Sequence, residues 1–134
     1  MSASKNTISR FLTKEFNLSY QKYLVGEISK HGATITCEYE EDVHFSQQQL
    51  FIAADFAMQA AILGKLGKTK SLTAMSMNLH FFYQLSKTSE IIGEGRLIES
   101  NQTYFLAEVL MYTSGVKKPV AQIMGTYTAA AKYE

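Results

Sequence analysis

The chain predicts an α+β fold in which an antiparallel six-stranded sheet is wrapped around a central helix, with a short N-terminal helix ahead of it. Three observations carry that prediction. Residues 47–65 form one long, mostly apolar stretch with small residues at helical spacing. Strand-like runs flank it, two before and four after. The chain contains one proline, Pro119, so long uninterrupted strands are feasible.

The elements follow in order. Between Lys5 and Phe16, the apolar residues Ile8, Phe11, Leu12 and Phe16 recur at spacings of three, one and four, which predicts a short amphipathic helix. In "QKYLVGEISKHGATITCEYEED" two β-rich runs meet at His31-Gly32, a hairpin signal. "HFSQQQLFIAADFAMQAAILGK" then reads as a helix, with Ser46 as N-cap and Gly64 or Gly67 as its end. Ala53, Ala57, Ala60, Ala61 and Gly64 line one side of it, so another backbone can approach closely. Four runs follow: "SLTAMSMNLHFFYQL", "SEIIGEGRLIES", "TYFLAEVLMYTSG" and "PVAQIMGTYTAA". In the first of them Leu72, Ala74, Ser76 and Asn78 alternate with Thr73, Met75, Met77 and Leu79. No repeat or linker interrupts the order, so residues 1–134 read as one domain, with 1–19 an N-terminal helical segment.

Composition limits the function. With 13 basic and 12 acidic residues interspersed, a net charge of +1 leaves no basic face for a nucleic acid or a membrane surface. The apolar run Leu50–Leu63 is too short and too polar to span a bilayer. Residues 1–16 lack the apolar core of a secretory signal, so a cytoplasmic protein is expected. Cys37 is the one cysteine and reads as a strand thiol, and no Cys/His spacing suggests a metal.

The unusual residue is Asp55, the one charge between Asp42 and Lys65. Two readings are open. Gln48 lies seven residues before it and Gln59 four after, so the three share a polar face of a helix. Alternatively, a carboxyl among Phe51, Phe56 and Met58 has its charged form disfavoured, which suits a general base.

Element order and motifs over residues 20–130 resemble the hot-dog fold and, within it, the PaaI-like acyl-CoA thioesterases. "SQQQLFIAADFAMQAA" is similar to the family's helix, with Ser46-Gln47-Gln48 where His-Gly-Gly stands and Asp55 on the catalytic acid. "MSMNLHFF" and "GTYTA" resemble two of the family's strands. Glu40 and Ala74 occupy positions where members carry Asn and Ser or Thr.

The resemblance implies an acyl-CoA or other acyl-thioester ligand and a homodimer, with a tetramer as a further option. It calls for no cofactor and no metal. Asp55 is then base or nucleophile, and the free amides at Gln47 and Gln48 are the oxyanion donors. Ser46, Phe51, Thr73, Ala74, Asn78 and His80 are expected to line the substrate site, with His80 packed in the core or at an interface. Lys65, Lys68, Lys70, Lys117 and Lys118 are candidates for the coenzyme phosphates. The alternative is an acyl-CoA or fatty-acyl binder without catalysis on the same scaffold, since three site elements are replaced.

Overall fold

A computed structural model describes residues 5–16, 22–83, 87–101 and 103–129, with the side chains of 22–25 and 39–43 excepted. Helix α1 (Lys5–Phe16) is followed by strands β1 (Lys22–Ser29) and β2 (Gly32–Val43). Helix α2 (Gln47–Leu66) comes next, then β3 (Leu72–Phe81), β4 (Thr88–Ser100), β5 (Phe105–Thr113) and β6 (Ala121–Ala129). The strands form one antiparallel sheet in the order β1-β2-β4-β5-β6-β3. The helix-and-sheet order predicted from the residues is the one the chain adopts.

Helix α2 begins with a capping box. The Ser46 hydroxyl accepts from the Gln49 amide at 3.0 Å, and the Gln49 side chain accepts from the Ser46 amide at 2.7 Å. Those two bonds satisfy donors that no helical turn can reach. The helix ends at Gly67, whose φ of 71° lies in the left-handed region. Gly64 lies inside the helix and serves packing instead: a Cβ there would stand 2.5 Å from Ile28 and 2.8 Å from the Ser29 carbonyl oxygen.

Small residues bring the helix onto the sheet. On β4, a Cβ at Gly95 would meet the Ala57 carbonyl oxygen at 2.6 Å, so helix and strand backbones nearly touch there. Strands β2, β4, β5 and β6 turn Ile35, Ile91, Val109, Met111 and Ile123 toward α2, all fully buried. Helix α1 covers part of α2 from outside, burying Ile8 and Leu12 and packing Phe16 against Phe56 at 5.3 Å between ring centroids. Thus α2, long and apolar enough on those grounds alone to cross a bilayer, is the core helix, with most of its residues buried.

Strand β3 departs from the simple alternation expected of it. Ala74 pairs with Tyr127 and Ser76 with Thr126, so Met75 is the extra residue of a β-bulge. One inserted residue reverses which side chains face the core. Leu72 and Ala74 share the helix side with Ala129 and Tyr127, whereas beyond the bulge Met77, Leu79 and Phe81 take it over. Asn78 and His80 therefore face the other side of the sheet, opposite to Ala74.

Candidate functional site

Asp55 lies in the middle of α2, half-buried between Ala54 and Phe56. Two neutral donors meet on one of its oxygens. Gln59, one turn on, donates from Nε2 to Oδ1 at 3.1 Å, and Tyr127 donates its hydroxyl to the same Oδ1 at 2.5 Å. The first bond is the polar stripe that residue spacing anticipates. The second joins β6 to the helix across 72 positions of sequence.

Burial pushes the Asp55 carboxyl above the ordinary carboxylate range, and the bonds from Tyr127 and Gln59 oppose that push. The Tyr127 phenol is pushed far up by its own burial, then by the Asp55 charge and the bond to it. Tyr127 thus stays a donor at any physiological pH. Among the described residues no cation pairs with Asp55, so its charge rests on two dipoles.

The other oxygen differs. No donor among the described residues reaches Oδ2, and no buried side-chain oxygen there lacks a partner. Oδ2 is therefore left without a protein donor and is not fully buried. The carboxyl stands close to one edge of the sheet, because Tyr127 pairs with Ala74 on β3 and, among the described residues, no strand lies beyond β3.

The remaining expected site residues separate into groups. Gln47 and Gln48 are exposed at the helix start, and the first backbone bond within the helix runs from Leu50 N–H to the Ser46 carbonyl. With the Gln49 amide taken by Ser46, the amides of Gln47 and Gln48 have no partner within the helix. Ser46 is spent on capping. Phe51, one turn before Asp55, is 37% exposed.

Thr73, Asn78 and His80 do not meet Asp55. The register puts Thr73 opposite Thr128, Asn78 opposite Met124 and His80 opposite Gln122, all on the sheet face away from α2. His80 is exposed and stacks at 5.0 Å on Phe82, so it is not a core residue: it sits on an edge strand, on the outer face. The side chain of Glu40 lies outside the described residues. The lysines also divide, since Lys65, Lys68 and Lys70 precede the Leu72 end of the β3–β6 ladder while Lys117 and Lys118 lie beyond the Phe81 end. One chain does not gather them around one phosphate group. Two surface grooves of about 450 and 310 Å³ both include Glu94 and neither includes Asp55.

Two polar residues escaped the sequence reading. Tyr127 sits in "GTYTA", where alternation alone makes it one more buried aromatic. Glu108 is 7% exposed on β5, accepting from Arg96 Nε at 2.8 Å and from Gln122 Nε2 at 2.5 Å on its other oxygen. Both depend on partners 12 or more residues away, which no local pattern marks.

No protein-family model and no curated protein matches the chain. Solved structures do. A candidate thioesterase of Silicibacter sp. TM1040 superposes with a TM-score of 0.80 at 20% identity, over 96% of this chain and 93% of that one. A protein of Pseudomonas aeruginosa gives 0.80 at 11% identity, over 92% and 96%. A hypothetical thioesterase of Streptococcus pneumoniae TIGR4, crystallised with coenzyme A, gives 0.68 at 12% identity, over 91% and 99%. The fold of this chain is the hot-dog fold, shared with these solved structures.

Proposed function

We propose that the protein hydrolyses acyl thioesters of the acyl-CoA type, with Asp55 as general base. The observation that carries this reading is the Asp55 carboxyl, with one oxygen held by two neutral donors and the other open, on a fold shared with candidate thioesterases. Its raised pKa makes it a better proton acceptor than an exposed carboxylate.

In the reaction a water at Oδ2 gives one proton to Asp55 while its oxygen attacks the thioester carbonyl carbon. The carbonyl oxygen becomes an oxyanion, for which the amides of Gln47 and Gln48 are donors. Collapse of the tetrahedral intermediate breaks the C–S bond, and the leaving thiolate takes the proton from Asp55. Carboxylic acid and thiol result.

A second copy of the chain completes this site. Asp55 lies seven residues beyond Gln48, roughly 10 Å along the helix at about 1.5 Å per residue. A base, its water and a carbonyl close up in steps of about 3 Å, so helices from two copies serve one carbonyl more readily than one helix does. The β3 edge is where such a copy would add: among the described residues no strand pairs with its outer side, Met75 is 63% exposed, and Phe82 and Tyr83 are 43% and 54% exposed just beyond. A homodimer is the state this reading requires. Light scattering on the purified chain is expected to give twice the monomer mass or four times it, and a monomer would remove the shared site.

The test of the chemistry is free-thiol release from short, long and aromatic acyl-CoAs. Asp55→Asn is expected to lower turnover by roughly 100- to 10,000-fold with the fold retained. Unchanged turnover would take Asp55 out of the mechanism. One observation favours a binding role instead: two exposed Gln side chains stand at the helix start, where a close backbone approach to a carbonyl wants glycine. A silent wild type that becomes active as Gln47→Gly/Gln48→Gly would assign the chain to binding.

A further inference from the structure

We propose that Tyr127 is the positioning residue of this site: by donating to Oδ1 alongside Gln59, it pins that oxygen and leaves Oδ2 as the one that meets the water. The inference rests on the reading of Asp55 as base, but its geometry stands apart from any substrate.

A carboxylate on a helix turns about two side-chain torsions. The hydrogen bond from the buried Gln59 comes from one turn on along the same helix, so it fixes the carboxyl only relative to that helix. The bond from Tyr127 comes from the sheet. Tyr127 is fully buried, its ring is fixed over Gly125, where an added Cβ would stand 3.0 Å from the ring, and Met58 packs from the helix side. Its hydroxyl is thus held by the sheet, and Oδ1 is tied to the sheet as well as to its own helix.

Both donors occupy Oδ1 and none occupies Oδ2, so the carboxyl's orientation is set and its chemistry assigned to one atom. Among the described residues, no other charged group acts on Asp55. Among the described residues, the side chains that β2, β4 and β5 bury against α2 are apolar apart from Cys37, whose thiol burial, then the Glu38 charge, pushes up to about 11. Helix α1 contributes Ile8, Leu12 and Phe16. Tyr127 and Gln59 are accordingly the groups that act on Asp55, and Tyr127 is the larger of the two.

The experiment is Tyr127→Phe in the full chain, read two ways. Carbon-detected NMR follows the Asp55 carboxyl through its titration, and thiol release gives the pH profile of kcat and KM. Loss of the hydroxyl is expected to raise the Asp55 midpoint and to move the acid limb of kcat upward by the same interval. kcat at its plateau should fall by roughly 10- to 100-fold, as for a reacting group misplaced by about 1 Å, while KM changes little. A buried tyrosine with only a packing role would leave midpoint and limb where they are, and that result overturns the proposal. If the midpoint moves but the wild type releases no thiol from any substrate, the thioesterase reading fails and the clamp stands. Should the Phe variant not fold, the Tyr127 hydroxyl proton decides: it is expected as a slowly exchanging, downfield resonance in wild type that is lost in Asp55→Ala, and its persistence there would refute the clamp.

Discussion

The molecule carries one buried and one half-buried carboxylate on opposite faces of one sheet, and they are held by different means. Glu108 is turned away from α2, between Arg96 on β4 and Gln122 on β6, one charged donor and one neutral. Asp55 is turned toward the sheet from the helix and has only the neutral donors Tyr127 and Gln59. Glu108 uses both oxygens on its partners; Asp55 uses one. A carboxylate whose charge is matched and whose oxygens are occupied ties strands together. A carboxylate with no cation and one open oxygen is costly to keep ionised and available for a proton.

The sharpest way to break this comparison is to neutralise each acid in turn and follow turnover. Asp55→Asn is expected to abolish thiol release while Glu108→Gln leaves it unchanged. Equal losses in the two variants would mean that both act through the general integrity of the sheet. The next effect is on stability. Arg96→Ala takes the charged donor from a buried carboxylate and is expected to cost about 1–3 kcal/mol in urea unfolding, the lower part of that range because Arg96 is itself 65% exposed. A cost within about 0.5 kcal/mol, typical of an ordinary surface change, would show that Gln122 suffices.

What the residues disclose about these two acids differs for a physical reason. The fold is legible because it is written in local periods: small residues at three and four along 53–64, alternation in the flanking runs, and Ser46 as an N-cap ahead of the apolar run. Asp55 is legible because a lone charge in an apolar helix violates the pattern around it. Glu108 violates its pattern as well, yet "FLAEVLMY" reads as a strand with one solvated face, and nothing nearby announces that Arg96 and Gln122 will cover it. The bulge at Met75 is equally silent. Counting by twos through 72–79 puts Ala74 and Asn78 on one face, and a single extra residue puts them on opposite faces, so the expected substrate set divides there. Tyr127 needs the same long-range information, since its hydroxyl matters through an acid 72 residues earlier.

The smallest effect is also the one that isolates the charge of Asp55 from its shape. Its folded-state pKa is raised above the unfolded value of about 3.9, so the folded chain holds this proton more tightly than the unfolded one. Stability from this group is therefore fully present below the unfolded value and is lost as pH rises through the raised folded value. Above that point the ionised carboxyl is a constant penalty. Asp55→Asn keeps an oxygen for Tyr127 and Gln59 but never carries the charge. Its urea midpoint is expected to exceed that of wild type at neutral pH, and the gap should close as pH falls through the folded value. A gap of either sign that stays constant from about pH 4 to pH 8 would mean that the open carboxyl is as well solvated folded as unfolded, and the contrast with Glu108 would then be one of geometry alone.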